Sequence, residues 1–206
     1  MRTAFDLGAL ALDDDDATGA DRLLDAALEQ FQHVGLRRSS MEDVARRAGV
    51  SRVTLYRRFP QKDKLIQAVM LREVQRLIAS TRALMLTLGS LEERMVESFV
   101  HVIRTTRTHP LLTRLLAVEP EDVLVFLTAR AGPIVAIGSG FIADQIRAAQ
   151  RAKEIPAYDP KPVAEMLARL AHSMMLTPQG GLPLETDAQV RAFARRCVAP
   201  ILIREW

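Results

Sequence analysis

A break of three residues between two short helical stretches limits what this chain can fold into more than any other feature. The stretches lie within residues 40–62, and the break consists of Gly49, Val50 and Ser51. Glycine readily takes the positive φ of a helix C-cap and serine is a strong N-cap, so one helix ends and another begins here. Two short helices joined by so tight a turn are typical of a helix-turn-helix.

The first of these helices has two alternative N-caps. Ser39 is followed three residues later by Glu42, and Ser40 by Asp43, and both pairs have the spacing of a capping box. The sequence leaves the choice between them open. With either cap, the sequence predicts a helix over residues 41–48.

Similar start and stop signals divide the rest of the chain into amphipathic stretches of helical period. A helix is predicted from residue 18 to Gly35, and a long one follows Pro60. Later breaks are marked by glycine, serine or proline at positions 89–90, 109–110, 120, 132–133, 160–162 and 178–183. No stretch alternates polar and apolar residues as a half-buried strand would, so the predicted fold class is all-α.

Composition excludes several classes of protein. With one cysteine, Cys197, the chain can form no internal disulfide and no cysteine cage for a metal. The uncharged run that most resembles a membrane span, 131–143, has 13 residues, whereas a membrane-spanning helix needs about 18 apolar residues. The N-terminus carries aspartates where a secretory signal would be apolar. We therefore expect a cytoplasmic protein without a membrane partner.

Charge is unevenly distributed along the first third of the chain. Residues 13–29 contain seven acids and one arginine, whereas residues 33–64 contain nine lysines and arginines against three acids. A compact basic segment suits a polyanionic partner, although charge runs are also common on solvated faces. Residues 1–17 show no sustained period and are predicted to form a flexible acidic tail.

The second helix of the pair presents side chains that suit the major groove of DNA. If Leu55 and Phe59 face inward, the outward side chains are Arg52, Thr54, Tyr56, Arg57 and Arg58. Arginine can form two hydrogen bonds to guanine, a threonine methyl can contact that of thymine, and a tyrosine hydroxyl can donate to phosphate. Ser40 and Lys62 lie at the starts of flanking helices, where backbone N–H groups attract phosphate. Each residue alone also has a structural explanation, as a packed ring, a helix support or a solvated charge.

This N-terminal part resembles the TetR family of transcriptional regulators, the tetracycline-repressor family. The resemblance covers residues 18–70 in motif detail and is carried by Phe31, Gly35, the strings 45–51 and 54–59, Lys62 and Leu65. Beyond residue 70 the chain resembles the family only in length and helical layout. The resemblance implies an N-terminal helix-turn-helix DNA-binding domain over 18–64 and a C-terminal helical domain for effector binding and dimerisation over 65–206.

The resemblance also implies a function and roles for individual residues. The residues implied to contact bases are Arg52 and Thr54, together with Arg57 or Arg58. Phosphate contacts fall to Ser40, Tyr56 and Lys62. The implied function is that of a transcriptional regulator, more often a repressor, which binds a palindromic operator as a homodimer.

One feature departs from the family pattern. Several members carry basic residues just before the first helix, whereas this chain has aspartates at positions 13–16. Because aspartates repel phosphate, we expect the acidic tail to weaken non-specific binding to DNA.

The last two predicted helices suit a dimer interface. The final one carries a wide apolar stripe at Val190, Phe193, Ala194, Cys197, Val198 and Ile201. The helix before it has two apolar faces, one of which consists of Ala164, Ala168, Ala171 and Met175. Two faces indicate that one packs in the subunit's own core and the other against a second subunit. A buried hairpin in a monomer is the alternative.

Aliphatic residues with few aromatics make up much of the predicted C-terminal domain. A site built from them suits an aliphatic or lipid-like effector with one polar end. The candidates for contact with that end are His101, Arg104, Thr105 and His172. A lone histidine near an apolar face is more often a structural residue, so both explanations stay open.

Motifs of enzymes are absent from the sequence. There is no metal-binding histidine pair, no nucleophile elbow and no phosphate-binding loop, so we expect no enzyme activity, metal or cofactor. The main alternative to an effector-controlled regulator is an architectural or co-regulatory DNA-binding protein without an effector. A helical ligand-binding or catalytic protein that does not bind DNA is a further alternative.

Overall fold

The computed structural model describes the backbone of residues 14–203 and the side chains of residues 19–203. This part of the chain is helical and contains no β-strand, which confirms the all-α prediction. The helices are α1 (Asp14–Arg38), α2 (Met41–Ala48), α3 (Arg52–Arg58), α4 (Lys62–Met85), α5 (Leu91–Thr108), α6 (Pro110–Val118), α7 (Pro120–Leu127), α8 (Gly132–Arg151), α9 (Pro160–Leu176), α10 (Asp187–Phe193) and α11 (Ala199–Ile203), with a π-helical turn, Ala194–Val198, between the last two.

Helix α1 begins earlier than the sequence predicts. It starts at Asp14, whereas we expected a flexible tail up to residue 17. The expectation rested on the lack of a helical period, and four residues are too few to show a period of 3.6. The rest of the predicted tail, residues 1–13, lies outside the described residues, so its effect on DNA binding stays a prediction.

Gly35 ends the regular part of α1, as predicted. Its φ of 87° and ψ of 175° lie in a region that is essentially restricted to glycine, and a short turn then carries the chain to Arg38. Just after this break, the buried carboxylate of Glu119 accepts hydrogen bonds from the N–H groups of Leu36 (2.5 Å) and Arg37 (3.2 Å). A β-carbon on residue 35 would lie 2.8 Å from the Glu119 Cδ atom. Glycine is therefore required at this position both for its backbone conformation and for the space beside Glu119.

The described helices divide into two compact units whose boundaries differ from those of the predicted domains. The first unit comprises the described residues up to Arg72 together with Pro110–Pro133. The second comprises Glu73–His109 and the described residues from Ile134 onward. We predicted a single boundary after residue 64. The first boundary instead lies inside α4, where no loop marks it, and α6 joins the N-terminal helices because it packs against α1.

In the first unit, α1 packs against α2 and α6, and α2 packs against α3. Its largest fully buried side chains are those of Phe31, Leu55, Leu65, Leu111 and Leu115. Burial of one such side chain stabilises the fold by roughly 1.5–3 kcal/mol. The small side chains of Ala45 and Ala48 are buried as well, and they let the short helices cross closely.

In the second unit, α5 packs against α9, α10, the π-helical turn and α11. The buried core residues include Val96, Val100, Ile103, Ile146, Val163, Leu167, Val190, Ala194 and Val198. The stripe predicted for the final helix therefore contributes to the core of its own unit at Val190, Ala194 and Val198, whereas Cys197 is exposed.

Both apolar faces of α9 are used inside its own unit. Val163, Ala164 and Leu167 belong to the core, and Ala171 and Met175 line a cavity described below. Helical spacing shows that a face is apolar but not what covers it, so the assignment of one of these faces to a second subunit stays a prediction. The exposed face of α9 carries Glu165, Met166, Arg169 and Ser173.

A π-helical turn interrupts the final helix, which was predicted as continuous. The N–H of Ala199 donates to the carbonyl of Ala194, one residue farther back than in an α-helix. Pro200 explains the irregularity, because it has no N–H for the carbonyl of Arg196 and its ring would clash with that carbonyl in a regular helix.

The helices of the described part of the chain do not have the length and hydropathy of a membrane span. No single helix in residues 14–203 is long and apolar enough to cross a membrane. One pair of consecutive helices, α7 with α8, meets the criteria only when the two are joined across their bend.

Candidate nucleic-acid interface and ligand cavity

Hydrogen bonds between near neighbours fix the start of α2. The Ser40 hydroxyl accepts the N–H of Asp43 (3.1 Å), and the Asp43 carboxylate accepts the N–H of Ser40 (3.3 Å), so the capping box uses Asp43 rather than Glu42. Hydrogen bonding from Ser40, and then from Arg46, holds the pKa of Asp43 below its usual value. Ser39 is buried instead and donates to a carbonyl of α1 at 2.5 Å.

The turn between α2 and α3 has the geometry predicted from its glycine. Gly49 has a φ of 68°, and the N–H groups of Gly49 and Val50 donate to α2 carbonyls at 3.2 and 3.0 Å. The Ser51 hydroxyl accepts the N–H of Thr54 (3.1 Å) and lies 2.9 Å from the Thr54 hydroxyl. The start of α3 and the side chain of Thr54 are thus positioned by bonds that span three residues.

Helix α3 turns an apolar seam inward and a polar face outward. Leu55 and Phe59 are buried. The exposed predicted DNA contacts on this helix are Arg52, Tyr56 and Arg57, and the half-buried ones are Thr54 and Arg58. This orientation agrees with the one predicted from the sequence. We refer to residues 41–58 as the reading head.

Val53 lies on the exposed face of α3, and the sequence interpretation missed it by passing over the apolar positions of this helix. Its side chain is 77% exposed although it is a branched aliphatic residue. On a helix that enters a major groove, such a side chain can contact the methyl group of thymine. The signal was available, because the spacing of Leu55 and Phe59 places residue 53 off the buried seam.

Glu42 contacts two of the residues predicted to bind DNA. Its Oε1 atom lies 3.4 Å from the Nη2 atom of Arg52 and accepts a hydrogen bond from the Tyr56 hydroxyl at 3.5 Å. The sequence interpretation had considered Glu42 only as part of a cap. If Arg52 and Tyr56 bind DNA as predicted, Glu42 would compete with the DNA for both side chains.

Two of the predicted phosphate contacts already have partners within the protein. The Ser40 hydroxyl donates to the Asp43 carboxylate at 2.6 Å. Lys62 is half-buried at the start of α4, and its Nζ atom donates to the carbonyl of Arg37 at 3.4 Å. Donation from the Ser40 hydroxyl to a phosphate would therefore require an exchange of partners, whereas the Lys62 ammonium has three N–H donors and could contact a phosphate while it keeps its bond to Arg37.

The second unit contains a cavity of about 600 Å³, which is within the usual range for small-molecule sites. Side chains from α4, α5, α8 and α9 line most of it. The apolar lining residues include Leu77, Ile78, Met95, Phe99, Val102, Ile134, Phe141, Ile142, Ala171 and Met175. This lining is rich in aliphatic and poor in aromatic side chains, as the composition predicts.

Of the four residues predicted to contact the polar end of a ligand, only His172 is among the described residues that line this cavity. The Nε2 atom of His101 lies 2.9 Å from Ser80 Oγ of α4, and burial, followed by the nearby Arg104, lowers the pKa of His101. Arg104 forms an ion pair with Asp187 of α10 at 3.4 Å, and Thr105 is half-buried outside the lining.

The structure places His101, Arg104 and Thr105 outside the lining of this cavity, and their contact with a ligand stays a prediction. All three lie on α5, which also supplies lining residues such as Met95 and Val102. The sequence identifies polar residues near an apolar stripe, but the neighbours that each side of α5 meets depend on how the helices pack.

Two charged residues that the sequence interpretation did not select line the cavity as a pair. The Nη2 atom of Arg94 donates to both carboxylate oxygens of Glu154, at 2.8 and 2.7 Å, and its Nη1 atom donates to the carbonyl of Gly89 at 3.0 Å. Arg94 could have been found, because it continues the helical spacing of the lining residues on α5. Glu154 follows α8 in a turn, and only the packing brings it to α5.

Comparisons with known proteins agree with this architecture. Residues 23–69 match the family model described as bacterial regulatory proteins, tetR family. The matched segment contains the whole reading head and the first part of α4. The family match therefore falls on the helices that position the predicted DNA contacts.

Individual relatives extend the similarity along the chain. The HTH-type transcriptional regulator AlkX of Mycobacterium tuberculosis is 28% identical over 188 residues, which are 88% of this chain and 86% of the relative. The HTH-type transcriptional activator FasR of Mycolicibacterium smegmatis is 36% identical over 85 residues, which are 40% of this chain and 39% of the relative.

The similarity to a solved structure extends to the fold. The crystal structure of the TetR family repressor AlkX from a Dietzia strain, implicated in biodegradation of n-alkanes, aligns with a TM-score of 0.68 at 25% identity. The alignment covers 88% of this chain and 93% of that one. The matched segment, the similarity along most of the chain and the shared fold support one conclusion: residues 23–69 form a helix-turn-helix domain of the TetR type, and the chain is similar over most of its length to TetR family transcriptional regulators, which are DNA-binding regulators and not enzymes.

Proposed function

We propose that this regulator represses transcription as a homodimer on a palindromic operator and is released by a small apolar effector. The apolar cavity carries the proposal, because α4 contributes to its lining and also belongs in part to the unit of the reading head. Leu77 and Thr81 of α4 line the cavity, and Lys62 begins the same helix. An effector that displaces the lining residues therefore moves the helix that follows the reading head.

We infer the residue roles on DNA from the exposed face of α3. Arg52 and Thr54 read bases, with a contribution from Arg57 or Arg58. Ser40, Tyr56 and Lys62 contact phosphates. A regulator of this kind works where the chromosomal DNA is, so we place it in the cytoplasm.

The effector class that best suits the cavity is an aliphatic molecule. The Dietzia AlkX is implicated in biodegradation of n-alkanes, and the aliphatic lining supports a similar class of ligand here. Each buried methylene group contributes about 0.8 kcal/mol, or about fourfold in Kd. A shift from 1:99 to 99:1 between two states needs about 5.5 kcal/mol, so on the order of seven methylenes that contact only the released state would be sufficient.

Dimerisation through the last two helices stays part of the proposal, although its support has changed. The exposed side chains of these helices that could contact a second subunit include Met166, Cys197 and Ile203. Two subunits would place two reading heads on half-sites about 34 Å apart, which explains why a short helix suffices to recognise an operator.

The dimer is tested by light scattering on Met166→Glu and Ile203→Glu variants. We expect the double variant to be monomeric and to bind operator DNA weakly. Leu86→Glu is the matched control, because Leu86 is 85% exposed but lies outside the last two helices. A double variant that stays dimeric would exclude this interface.

DNA binding is tested by selecting bound fragments from the host's genomic DNA. The fragments should share an inverted repeat, and binding should fall steeply between about 50 and 300 mM salt as counterion release predicts. Binding that is absent or insensitive to salt would contradict the DNA-binding role.

Effector control is tested with a cavity-filling substitution, Ala171→Phe, since Ala171 lines the cavity. The variant should bind the operator as the parent does but should no longer be released by aliphatic ligands. Ala192→Phe is the control, because Ala192 is exposed on α10. If no aliphatic ligand changes DNA affinity in the parent protein, the alternative of an architectural DNA-binding protein without an effector is favoured.

A further inference from the structure

We propose that the cavity selects an uncharged aliphatic effector, such as a long-chain alcohol or ester, over the corresponding carboxylate, and that Glu154 sets this preference by neutralising Arg94. The inference rests on the proposed function in that it concerns the ligand of the same cavity. It goes further by assigning the charge of the ligand and the residue that determines it.

The first observation is that both terminal nitrogens of Arg94 have hydrogen-bond partners within the protein. The Nη2 atom donates to both oxygens of Glu154, and the Nη1 atom donates to the carbonyl of Gly89. The side chains of Arg94 and Glu154 are 24% and 34% exposed. A positive charge that would otherwise attract a carboxylate is therefore balanced at close range within the protein.

The second observation is the rest of the lining. Among the described residues that line the cavity, Arg94 is the one permanent cation, and Glu154 is the one acid. The polar lining residues that remain are Thr81, Ser98, Thr106, Gln145 and His172. A carboxylate that enters such a site loses its hydration and finds no arginine or lysine in the described lining whose charge is unpaired, whereas a hydroxyl or ester loses much less hydration.

The third observation is the backbone that presents Glu154. Helix α8 ends in a Schellman motif, in which the N–H of Glu154 donates to Ala149 at 2.9 Å and that of Lys153 to Gln150 at 3.0 Å. Lys153 occupies the left-handed position with a φ of 58°, where glycine is usual. The turn therefore holds Glu154 in place from its own helix, independently of Arg94.

The inference is tested by calorimetry on the full chain with 1-dodecanol, methyl dodecanoate and dodecanoate. The measurements use ligand concentrations below micelle formation at pH 8, where histidine side chains are ordinarily neutral. We expect the parent protein to bind the two neutral ligands at least about tenfold more tightly than dodecanoate. Glu154→Gln frees Arg94 and should tighten dodecanoate binding by about tenfold or more, with little change for the alcohol.

Two further variants separate this effect from a general change of charge or stability. Arg94→Gln combined with Glu154→Gln removes both charges and should keep the parent's preference for neutral ligands. Glu165→Gln removes an acid that pairs with Arg169 on the exposed face of α9, and should also behave as the parent. Circular dichroism of each variant establishes that it is folded.

The outcomes distinguish this inference from the proposed function. Equal binding of dodecanoate and dodecanol by the parent, or an unchanged preference in folded Glu154→Gln, would overturn the inference while leaving an effector site. Binding of the neutral ligands without release of operator DNA would overturn effector control but support the inference. Failure of all three ligands to bind would overturn both.

Discussion

The reading head and the cavity are built in opposite ways. In the reading head, Thr54 and Gly49 are held by hydrogen bonds to residues at most five positions away, and the important side chains point into solvent. The cavity takes its lining from residues between Val74 and Leu202, and each lining residue is placed by packing. Local hydrogen bonds determine the position of the backbone from which a side chain extends, whereas only the packing of the helices determines which residues that side chain contacts.

The contact between Gly35 and Glu119 is an exception to this comparison. At this contact, the segment that leads to the reading head depends on a residue far away in sequence. We expect Gly35→Ala to destabilise the protein by about 3 kcal/mol, because the backbone conformation is essentially restricted to glycine and the new β-carbon meets the carboxylate. Urea denaturation measures the change. Gly140→Ala in α8 is the control, since its β-carbon meets nothing within 4 Å, and should not destabilise. Equal stability of the two variants would contradict the structure.

Removal of a single outward side chain from the reading head should leave the fold unchanged. Arg52→Ala should weaken binding to a cognate operator by about 1–3 kcal/mol and relax the choice of base, with no loss of thermal stability. Lys62→Ala should instead weaken binding to all sequences alike. Binding titrations on cognate and random duplexes measure both effects, with Arg169→Ala on α9 as a control distant in sequence. A uniform loss in Arg52→Ala would contradict its role as a base reader.

The same helix-ending motif occurs in both regions with different residues, which sharpens the comparison. Gly49 ends α2 with a φ of 68°, and Lys153 follows α8 with a φ of 58°. Gly49→Ala should therefore cost about 1 kcal/mol, and Lys153→Gly should stabilise by up to about 1 kcal/mol. Thermal denaturation of the two variants checks the opposite signs. A destabilised Lys153→Gly variant would show that the lysine side chain makes a compensating contribution.

The smallest expected effect concerns Val53. Because its side chain is 77% exposed, Val53→Ala should leave stability within about 0.5 kcal/mol of the parent. Its DNA affinity should fall by less than about 1 kcal/mol, and only for operators with thymine at the contacted position. Titrations on operators with single-base replacements measure this. A fall in affinity that is the same for every replacement would exclude a role in base choice.

The sequence by itself determined the all-α class, the resemblance to the TetR family and nearly every helix start in the first unit. The caps at Ser40, Gly49 and Ser51 were predictable because a cap is a set of hydrogen bonds between residues at most five positions apart. The inward position of Leu55 was predictable for a similar reason, since helical spacing relates neighbours on one element.

Only the tertiary structure decided which residues surround the cavity and where the units divide. Residues His101 and Arg94 both lie on α5, yet the histidine contacts Ser80 and the arginine lines the cavity. The carboxylates of Glu119 and Glu154 reach their partners across 83 and 60 residues of sequence. The physical reason is that helical period gives the faces of a helix, whereas the neighbour of each face depends on how all the helices bury their apolar surface together.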